Sequence, residues 1–244
     1  MTSASVQNYL KAIYSLQENY SRSENAESVT TSALADYLGV SAASATNMVK
    51  KLARLKLAHH SPYHGVQLTP RGEKMALEVI RHHRLIELFL SETLGVPWES
   101  VHAEAEKIEH VISEDLEDRI AKFLGNPGHD PHGDPIPTKS GQVERLAYQT
   151  LLDVGTGQSA VIRRVSDQAP DHLRHFSKLG LIPDATVDII HREPFEGPLR
   201  VRVQSGQEHV LDETLARSIW VSPSTTHSGY SLPPKTPRGK KEAI

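Results

Sequence analysis

The sequence predicts a mainly α-helical protein that carries a small β domain at its C-terminal end. Three observations support this prediction. Up to Gly125, apolar side chains recur every three to four positions, which is the spacing of amphipathic helices. Over residues 143–222, apolar and polar residues instead alternate in short runs between glycine-containing turns, as in the strands of a small barrel. A Pro/Gly-rich stretch at 125–141 lies between the two parts and is typical of a connector.

Composition and charge narrow the classes of function. With 244 residues, of which 38% are hydrophobic, the chain can form two or three small domains with ordinary cores. The net charge is only −3, but the charges are segregated. Most charged residues within 41–76 are lysine or arginine, and most charged residues within 99–118 are aspartate or glutamate. One segment therefore suits a polyanion and the other suits cations.

The chain has no cysteine, which excludes disulfides, thiolate nucleophiles and cysteine-ligated metal sites. No apolar run approaches the length of a membrane span, and the N-terminus lacks the core of a signal peptide. We therefore expect a cytoplasmic protein that does not contact a membrane.

The first helix is predicted at 4–18, because four apolar residues share one face: Val6, Leu10, Ile13 and Tyr14. A polar loop is expected at 18–28. Thr31 or Ser32 can then cap a short helix, and Gly39 can end it in the left-handed conformation. Ser41 can cap a second helix that runs to about Lys56, with four residues pointing inward: Ala45, Val49, Leu52 and Leu55. Two helices around a glycine turn are typical of a helix-turn-helix.

The outward residues of the second helix suit contacts with DNA. Small side chains allow a helix to enter the major groove, an asparagine can pair with adenine, and basic residues meet phosphates. The candidates are Ser41, Ala42, Ala43, Ser44, Asn47, Lys50, Lys51 and Arg54. The alternative is an ordinary solvated helix with a pair of lysines.

Residues 59–69 (HHSPYHGVQLT) predict a two-stranded hairpin with Gly65 at or near its turn. A hairpin directly after a recognition helix is the wing of a winged helix. Its polar side chains are expected to contact the DNA backbone or solvent, with a metal-binding role as the less favoured alternative: His59, His60, Tyr63 and His64.

Residues 81–110 carry the densest set of chemically active side chains. A long helix, capped by Thr69 and ended by Gly95, carries His83 and Glu87 at i, i+4. A helix beginning at Pro97 would place four more such residues at i, i+4, i+7 and i+8 on one stripe: His102, Glu106, Glu109 and His110. Neither stripe contains lysine or arginine, so the arrangement suits a divalent cation. The alternative is a solvated acidic face with surface hydrogen bonds.

The next helix is expected to start at Ser113 and to stop at Gly125, with Leu116, Ile120 and Leu124 on its apolar side. His129 and His132 of the connector are expected to be exposed. Beyond it, five strands are predicted around 160–162, 186–190, 199–203, 209–211 and 219–221. A short helix at 171–180 would bury Leu173, Phe176 and Leu179, and residues 223–244 have the composition of a disordered tail.

Several motifs together resemble the DtxR/MntR family of metal-dependent repressors: YLKAIYSL, LTPRG after the wing, HRLIELFL, VHAEAEKIEHVIS and DPHGDPIP. Residues 172–199 look like the SH3-like, FeoA-like domain of the family's long members. The resemblance implies four parts. They are a winged helix-turn-helix domain (1–75), a helical metal-binding and dimerisation domain with its linker (76–140), an SH3-like β-barrel (141–222) and the tail (223–244).

The resemblance also implies two metal sites. The primary site would use Glu106, Glu109 and His110 with a residue of the first helix, and the second would use His83, Glu87 and His102. The first-helix position is Asn8, where family members have methionine or aspartate, and Lys11 stands where manganese-type members often have glutamate. In some members the C-terminal domain also donates ligands, for which the candidates are Asp171, His172 and His175.

Oxygen ligands, including Glu106 where iron-type members have cysteine, favour Mn²⁺, with Fe²⁺ as the alternative. Zn²⁺, Co²⁺, Ni²⁺ or Cd²⁺ could also bind in vitro. The resemblance implies a homodimer that binds palindromic double-stranded operator DNA only when loaded with metal.

Two other classes of protein compete with this interpretation. A winged-helix regulator that responds to a small molecule explains residues 30–70 equally well, but it leaves the acidic and imidazole stripes unexplained. A di-iron enzyme is disfavoured, because it would need a Glu-x-x-His pair on each of two helices. No other catalytic grouping is visible, so an enzyme is not expected.

Overall fold

In the computed structural model, residues 3–21, 28–61, 65–144, 147–166, 169–194 and 197–224 are described. Among these residues, no helix combines the length and apolarity needed to cross a bilayer. The N-terminal part consists of α1 (Ala4–Ser21), α2 (Thr31–Leu38), α3 (Ala42–Arg54), β1 (Ala58–Ser61) and β2 (Gly65–Leu68). These elements share one apolar core, in which α1 contributes Leu10 and Ile13. The predicted winged helix-turn-helix is therefore formed.

The turn between α2 and α3 follows from local chemistry. Thr30, rather than the predicted Thr31 or Ser32, caps α2 by accepting a hydrogen bond from Ala33 N–H. Gly39 ends that helix with φ of +63°, and Ser41 caps α3 by accepting from Ser44 N–H. Small polar caps and a left-handed glycine satisfy the terminal backbone groups.

The end of α3 differs from the prediction. The helix stops at Arg54, and Lys56 takes a left-handed conformation with φ of +58°. As a result Leu55, predicted to point inward, is 44% exposed, and Leu57 fills the core in its place.

The wing is an antiparallel pair in which Ala58 faces Leu68 and Ser61 faces Gly65. Gly65 is the first residue of β2, so it lies next to the turn, within the prediction. A side chain there would collide with the backbone of Val29, which pairs with Val66 on the open side of the wing. The predicted roles of Tyr63 and His64 lie outside the described residues.

The 25-residue helix α4 (Pro70–Leu94) is the axis of the fold. Thr69 caps it, Pro70 occupies its first turn, and Gly95 ends it in the left-handed conformation, all as predicted. Gly72 lies directly against the carbonyl of Leu57, so the start of α4 is held close to the wing.

Two shorter helices pack beside α4, namely α5 (Val101–Ile108) and α6 (Glu114–Phe123). The predicted start of α5 at Pro97 is wrong, because residues 98–100 form a turn before the helix begins. The helix also ends at Ile108, but Glu109 keeps right-handed angles (φ −54°, ψ −27°). Glu109 therefore continues the helical stripe for one more residue.

The C-terminal part holds β3 (Gln149–Thr150), β4 (Ser159–Val165), α7 (Pro170–Leu179), β5 (Thr186–Arg192), β6 (Leu199–Val203), β7 (Glu208–Leu211), α8 (Glu213–Ser218) and β8 (Ile219–Pro223). The strands form one antiparallel sheet in the order β3-β8-β4-β5-β6-β7. The sheet is open, with β3 and β7 at its edges, so the predicted closed barrel is wrong. Leu173 and Phe176 of α7 are buried in its core as predicted.

The connector fastens the β domain to the helical domain. The amide of Val165 donates to the carbonyl of His132 at 2.9 Å, and Arg164 Nε lies 2.7 Å from Asp134 Oδ1. Trp98, in the turn before α5, packs against the core of the β domain. The predicted tail lies outside the described residues from position 225 onward.

Candidate metal centre

Imidazoles and carboxylates of α4 and α5 converge at one point. His83 Nε2 lies 2.9 Å from Glu87 Oε1 and 3.0 Å from His102 Nδ1. His102 Nδ1 is also 3.2 Å from Glu87 Oε1. On its other side, His83 Nδ1 contacts Glu109 Oε2 directly. The two predicted stripes therefore meet, with His83 between the buried carboxylates of Glu87 and Glu109.

Burial makes it costly to place ionised carboxylates in this cluster. Glu87 and Glu109 have at most 1% of their surface exposed. Burial opposes ionisation of both, but hydrogen bonds and charge from His83 outweigh it and hold the pKa of each carboxyl below its ordinary value. Burial also opposes protonation of His83, yet the two carboxylates raise the pKa of His83 to about 9. Two buried negative charges thus require positive charge beside them.

Lys11 of α1 supplies part of that positive charge. Its Nζ lies 2.5 Å from Glu106 Oε1 and 2.8 and 3.0 Å from the two carboxylate oxygens of Glu109. Neither stripe contains a basic residue of its own. Lys11, on α1 and almost a hundred positions earlier in the sequence, supplies one. The ammonium group therefore bridges the DNA-binding domain and the helical domain.

Asn8 and His110 offer further potential metal ligands whose polar atoms form no hydrogen bond with the described residues. Asn8 Oδ1, one turn before Lys11, is buried and accepts no hydrogen bond from the described residues. Both ring nitrogens of His110 are buried and likewise unpaired, with Nε2 3.3 Å from Glu109 Oε1. Burial lowers the pKa of His110, so its ring is neutral and has a free lone pair. An unpaired amide oxygen, a neutral imidazole and carboxylates are suitable ligands for a divalent cation.

Part of this set lines a cleft of about 410 Å³ between α1, α4 and α5. Residues of its wall include Asn8, Lys11, His83, Glu87, His102, Glu106 and Asp130. The cleft is large enough for a metal ion with water, and its donor set fits such an ion.

The connector adds two residues that the sequence analysis did not place here. Ligand atoms of Glu87, Asp130 and His132 lie within 4.8 Å of one another, and all three residues are buried. The predicted exposure of His132 is wrong: its Nε2 is 2.9 Å from the carbonyl of Trp98, and its Nδ1 has no hydrogen-bond partner in the described chain. Burial, with Asp134 and Glu87, raises the pKa of Asp130 well above its ordinary value.

Three family models match consecutive parts of the chain. The iron dependent repressor N-terminal DNA binding domain matches residues 1–66, the iron dependent repressor metal binding and dimerisation domain matches 69–138, and the FeoA domain matches 149–223. The iron-dependent repressor IdeR of Mycobacterium leprae (strain TN) is 34% identical over 195 residues, which cover 74% of this chain and 81% of that relative. The chain belongs to the DtxR/MntR family of metal-dependent transcriptional repressors.

Solved structures agree with this assignment. A manganese-dependent transcriptional repressor in complex with manganese is 37% identical, with a TM-score of 0.80, covering 89% of this chain and 99% of that one. ScaR with bound Cd²⁺ is 30% identical, with a TM-score of 0.74 and the same coverage.

Of the ligands expected from the family resemblance, those of the β domain do not reach the cleft. Asp171 and His172 lie on the exposed side of α7, and Asp171 pairs with Arg174. His175 is exposed on the same helix. The predicted helix is present, and these three residues are not among those that line the cleft. The contacts between the β domain and the connector come from β4. A ligand role for the three residues stays a prediction.

The predicted recognition helix is α3, which lies within the part of the chain that matches the DNA-binding domain model. The predicted DNA-contacting residues all lie on one exposed face of that helix or at its cap: Ser41, Ala42, Ala43, Ser44, Asn47, Lys50, Lys51 and Arg54. The opposite face is buried through Ala45, Val49 and Leu52. Among the described residues nothing covers this exposed face, so it is open to solvent.

Proposed function

We propose that this repressor binds operator DNA when a divalent metal ion joins its DNA-binding domain to its helical domain. The observation that carries the proposal is the origin of the residues around the cleft. Asn8 and Lys11 come from α1, which belongs to the core of the DNA-binding domain, whereas Glu106 comes from the helical domain. Lys11 also contacts Glu109 of the helical domain. Whatever occupies the cleft therefore touches both domains.

Two positions for metal are proposed. The primary position uses Asn8, Glu106, Glu109 and His110. The second position uses His83, Glu87 and His102, and it is extended by Asp130 and His132. A bound ion supplies positive charge that neutralises the buried carboxylates and fixes their directions. The side chains themselves hold the helices in register, and Lys11 occupies the primary position until it is displaced.

We propose Mn²⁺ as the physiological ion and Fe²⁺ as the alternative. The primary set has three oxygen donors and one nitrogen, which suits Mn²⁺. One similar structure is described as a complex with manganese, and others contain Cd²⁺ and Zn²⁺. Calorimetric titration with each ion should rank their affinities, and cellular metal content during repression would decide between manganese and iron.

The proposed DNA-bound form is a cytoplasmic homodimer. One recognition helix reads only a few base pairs, so a two-fold pair doubles the site and matches a palindrome. Apolar side chains of α5, α6 and the turn between them remain exposed, namely Ile108, Val111, Leu116 and Phe123. Large exposed apolar surface is typical of a protein interface. We propose that this surface joins two chains.

The proposed link between metal and DNA is thermodynamic. An ion that binds better to the DNA-competent arrangement raises the population of that arrangement, and DNA must then tighten metal binding by the same factor. A coupling of about 1–3 kcal/mol corresponds to roughly 5- to 150-fold in affinity.

The test is operator binding by fluorescence anisotropy at fixed salt, with Mn²⁺ and with a chelator. Operator affinity should rise with Mn²⁺ in the native protein. Glu106→Ala and His110→Ala should each remove that response and keep the fold, whereas the exposed Glu104→Ala should retain it. Equal affinity with Mn²⁺ and with chelator would instead support the alternative, a winged-helix regulator that responds to a small molecule.

A further inference from the structure

His82 faces a different set of carboxylates from its neighbour His83. Its Nε2 lies 3.3 Å from Glu114 Oε1, and ligand atoms of Glu78, His82 and Glu114 all fall within 4.8 Å of one another. The His82 side chain is only 8% exposed, and its Nε2 makes no hydrogen bond with the described residues. A buried imidazole nitrogen therefore faces Glu78 and Glu114, and Glu117 Oε2 lies 3.9 Å from it.

The contact of His82 Nδ1 determines which nitrogen of a neutral ring carries the proton. His82 Nδ1 is 3.3 Å from the carbonyl oxygen of Glu109, which can only accept a hydrogen bond. A neutral ring donates from Nδ1 and leaves a lone pair on Nε2. In that tautomer the Nε2 lone pair faces the Glu114 carboxylate, and a divalent cation between the two atoms would accept both as ligands. Histidine ligands commonly have this arrangement, with one nitrogen on the metal and the other donating to a backbone carbonyl.

The neighbouring basic residues leave this position open. Lys139 Nζ lies 2.6 Å from Glu114 Oε2, so Oε1 remains directed at His82. Arg81 and Lys139 are both engaged by Glu117. Glu78 is exposed on α4, and within the described ranges it forms no ion pair with lysine or arginine.

We propose that Glu78, His82 Nε2 and Glu114 Oε1 form a separate site for a divalent cation that accepts nitrogen and oxygen ligands, such as Mn²⁺ or Zn²⁺. The site shares no side chain with the main centre. It joins α4 to the start of α6, and through His82 it fixes the carbonyl of Glu109.

The experiment counts ions bound to the full chain by equilibrium dialysis against Mn²⁺, with Zn²⁺ in a parallel series. Glu78→Gln and Glu114→Gln should each bind one equivalent fewer than the native protein. Glu92→Gln, an exposed glutamate of the same helix, is the matched control and should bind the native number. Retention of the full number in either cluster variant overturns the site.

Two further measurements separate this site from the proposed gating. Glu78→Gln should keep the Mn²⁺ response of operator binding, whereas Glu106→Ala should lose that response and still bind the ion beside His82. In crystals grown with Mn²⁺, anomalous difference density should lie between His82 and Glu114. Its absence there, with density present in the main cleft, would equally reject the proposal.

Discussion

Replacing Lys11 by glutamine should make the protein bind Mn²⁺ more tightly. Lys11 Nζ contacts the carboxylates of Glu106 and Glu109 at 2.5–3.0 Å, where the proposed primary ion needs those same oxygens. Metal binding in the native chain must therefore break these contacts first. Glutamine preserves most of the side-chain volume and removes the charge. The ammonium group then no longer competes with the ion for the carboxylates of Glu106 and Glu109.

The size of the effect follows from burial. Glu106 is 36% exposed, so solvent screens its pair with Lys11, and we count little from it. Glu109 is fully buried, and a charged hydrogen bond of that kind contributes about 1.5–3 kcal/mol. Removing that competition should tighten Mn²⁺ binding by roughly 10- to 150-fold, since about 1.4 kcal/mol is tenfold.

Calorimetry on the metal-free protein measures this directly, and a competing chelator extends the range if binding is very tight. Lys107→Gln is the control, because Lys107 lies beside the site on α5 and pairs with the exposed Glu104. The melting temperature adds a second readout. Without metal, Lys11→Gln should melt below the native protein, because buried carboxylates lose their counter-charge, and Mn²⁺ should restore it.

Unchanged or weaker Mn²⁺ affinity in Lys11→Gln would refute this reasoning. It would mean that the ammonium group and the ion occupy different places, or that Lys11 helps to hold the ion. A gain in affinity of the same size in Lys107→Gln would also refute it, because the effect would then come from net charge.

Three other predictions concern separate parts of the molecule. Asn8→Asp should tighten Mn²⁺ binding about tenfold by calorimetry, because a charged ligand replaces a neutral one. In the metal-free protein His83 has a pKa of about 9 instead of 6.5, so its protonation stabilises the fold fully below pH 6.5 and less as the pH rises through 9. Mn²⁺ binding near pH 7.5 should therefore release about one proton, seen as a dependence of the heat on buffer ionisation. Asn47→Ala should cost about 1–3 kcal/mol on operator DNA and almost nothing on unrelated DNA at the same salt.

Much of the fold was predictable because local chemistry determines it. Thr69 and Pro70 predict the start of α4, and Gly95 predicts its end. Helix caps and left-handed glycines depend only on neighbouring residues. The strands of the β domain were predictable from alternation for the same reason. Whether their sheet closes was not, because closure depends on pairing between β3 and β7, which lie far apart in the sequence.

The candidate site also has a part that could be predicted from local spacing and a part that could not. Helical spacing alone places His83 with Glu87 and His102 with Glu106, and Glu109 stays on the stripe because its backbone remains helical after α5 ends. Asp130 and His132 could not be placed by spacing. Their positions depend on the folded path of the connector, in which Asp130 accepts hydrogen bonds from the amides of His132 and Asp134.

Lys11 shows why the missing part matters for function. A helical stripe considered alone shows carboxylates without a counter-charge, which suits either a metal ion or a solvated acidic face. The fold adds an ammonium group from another domain, so the same carboxylates already have a partner before metal arrives. Metal affinity is then the difference between two occupants of one cleft, and a substitution on α1 can change the metal response without altering any residue of the acidic stripe.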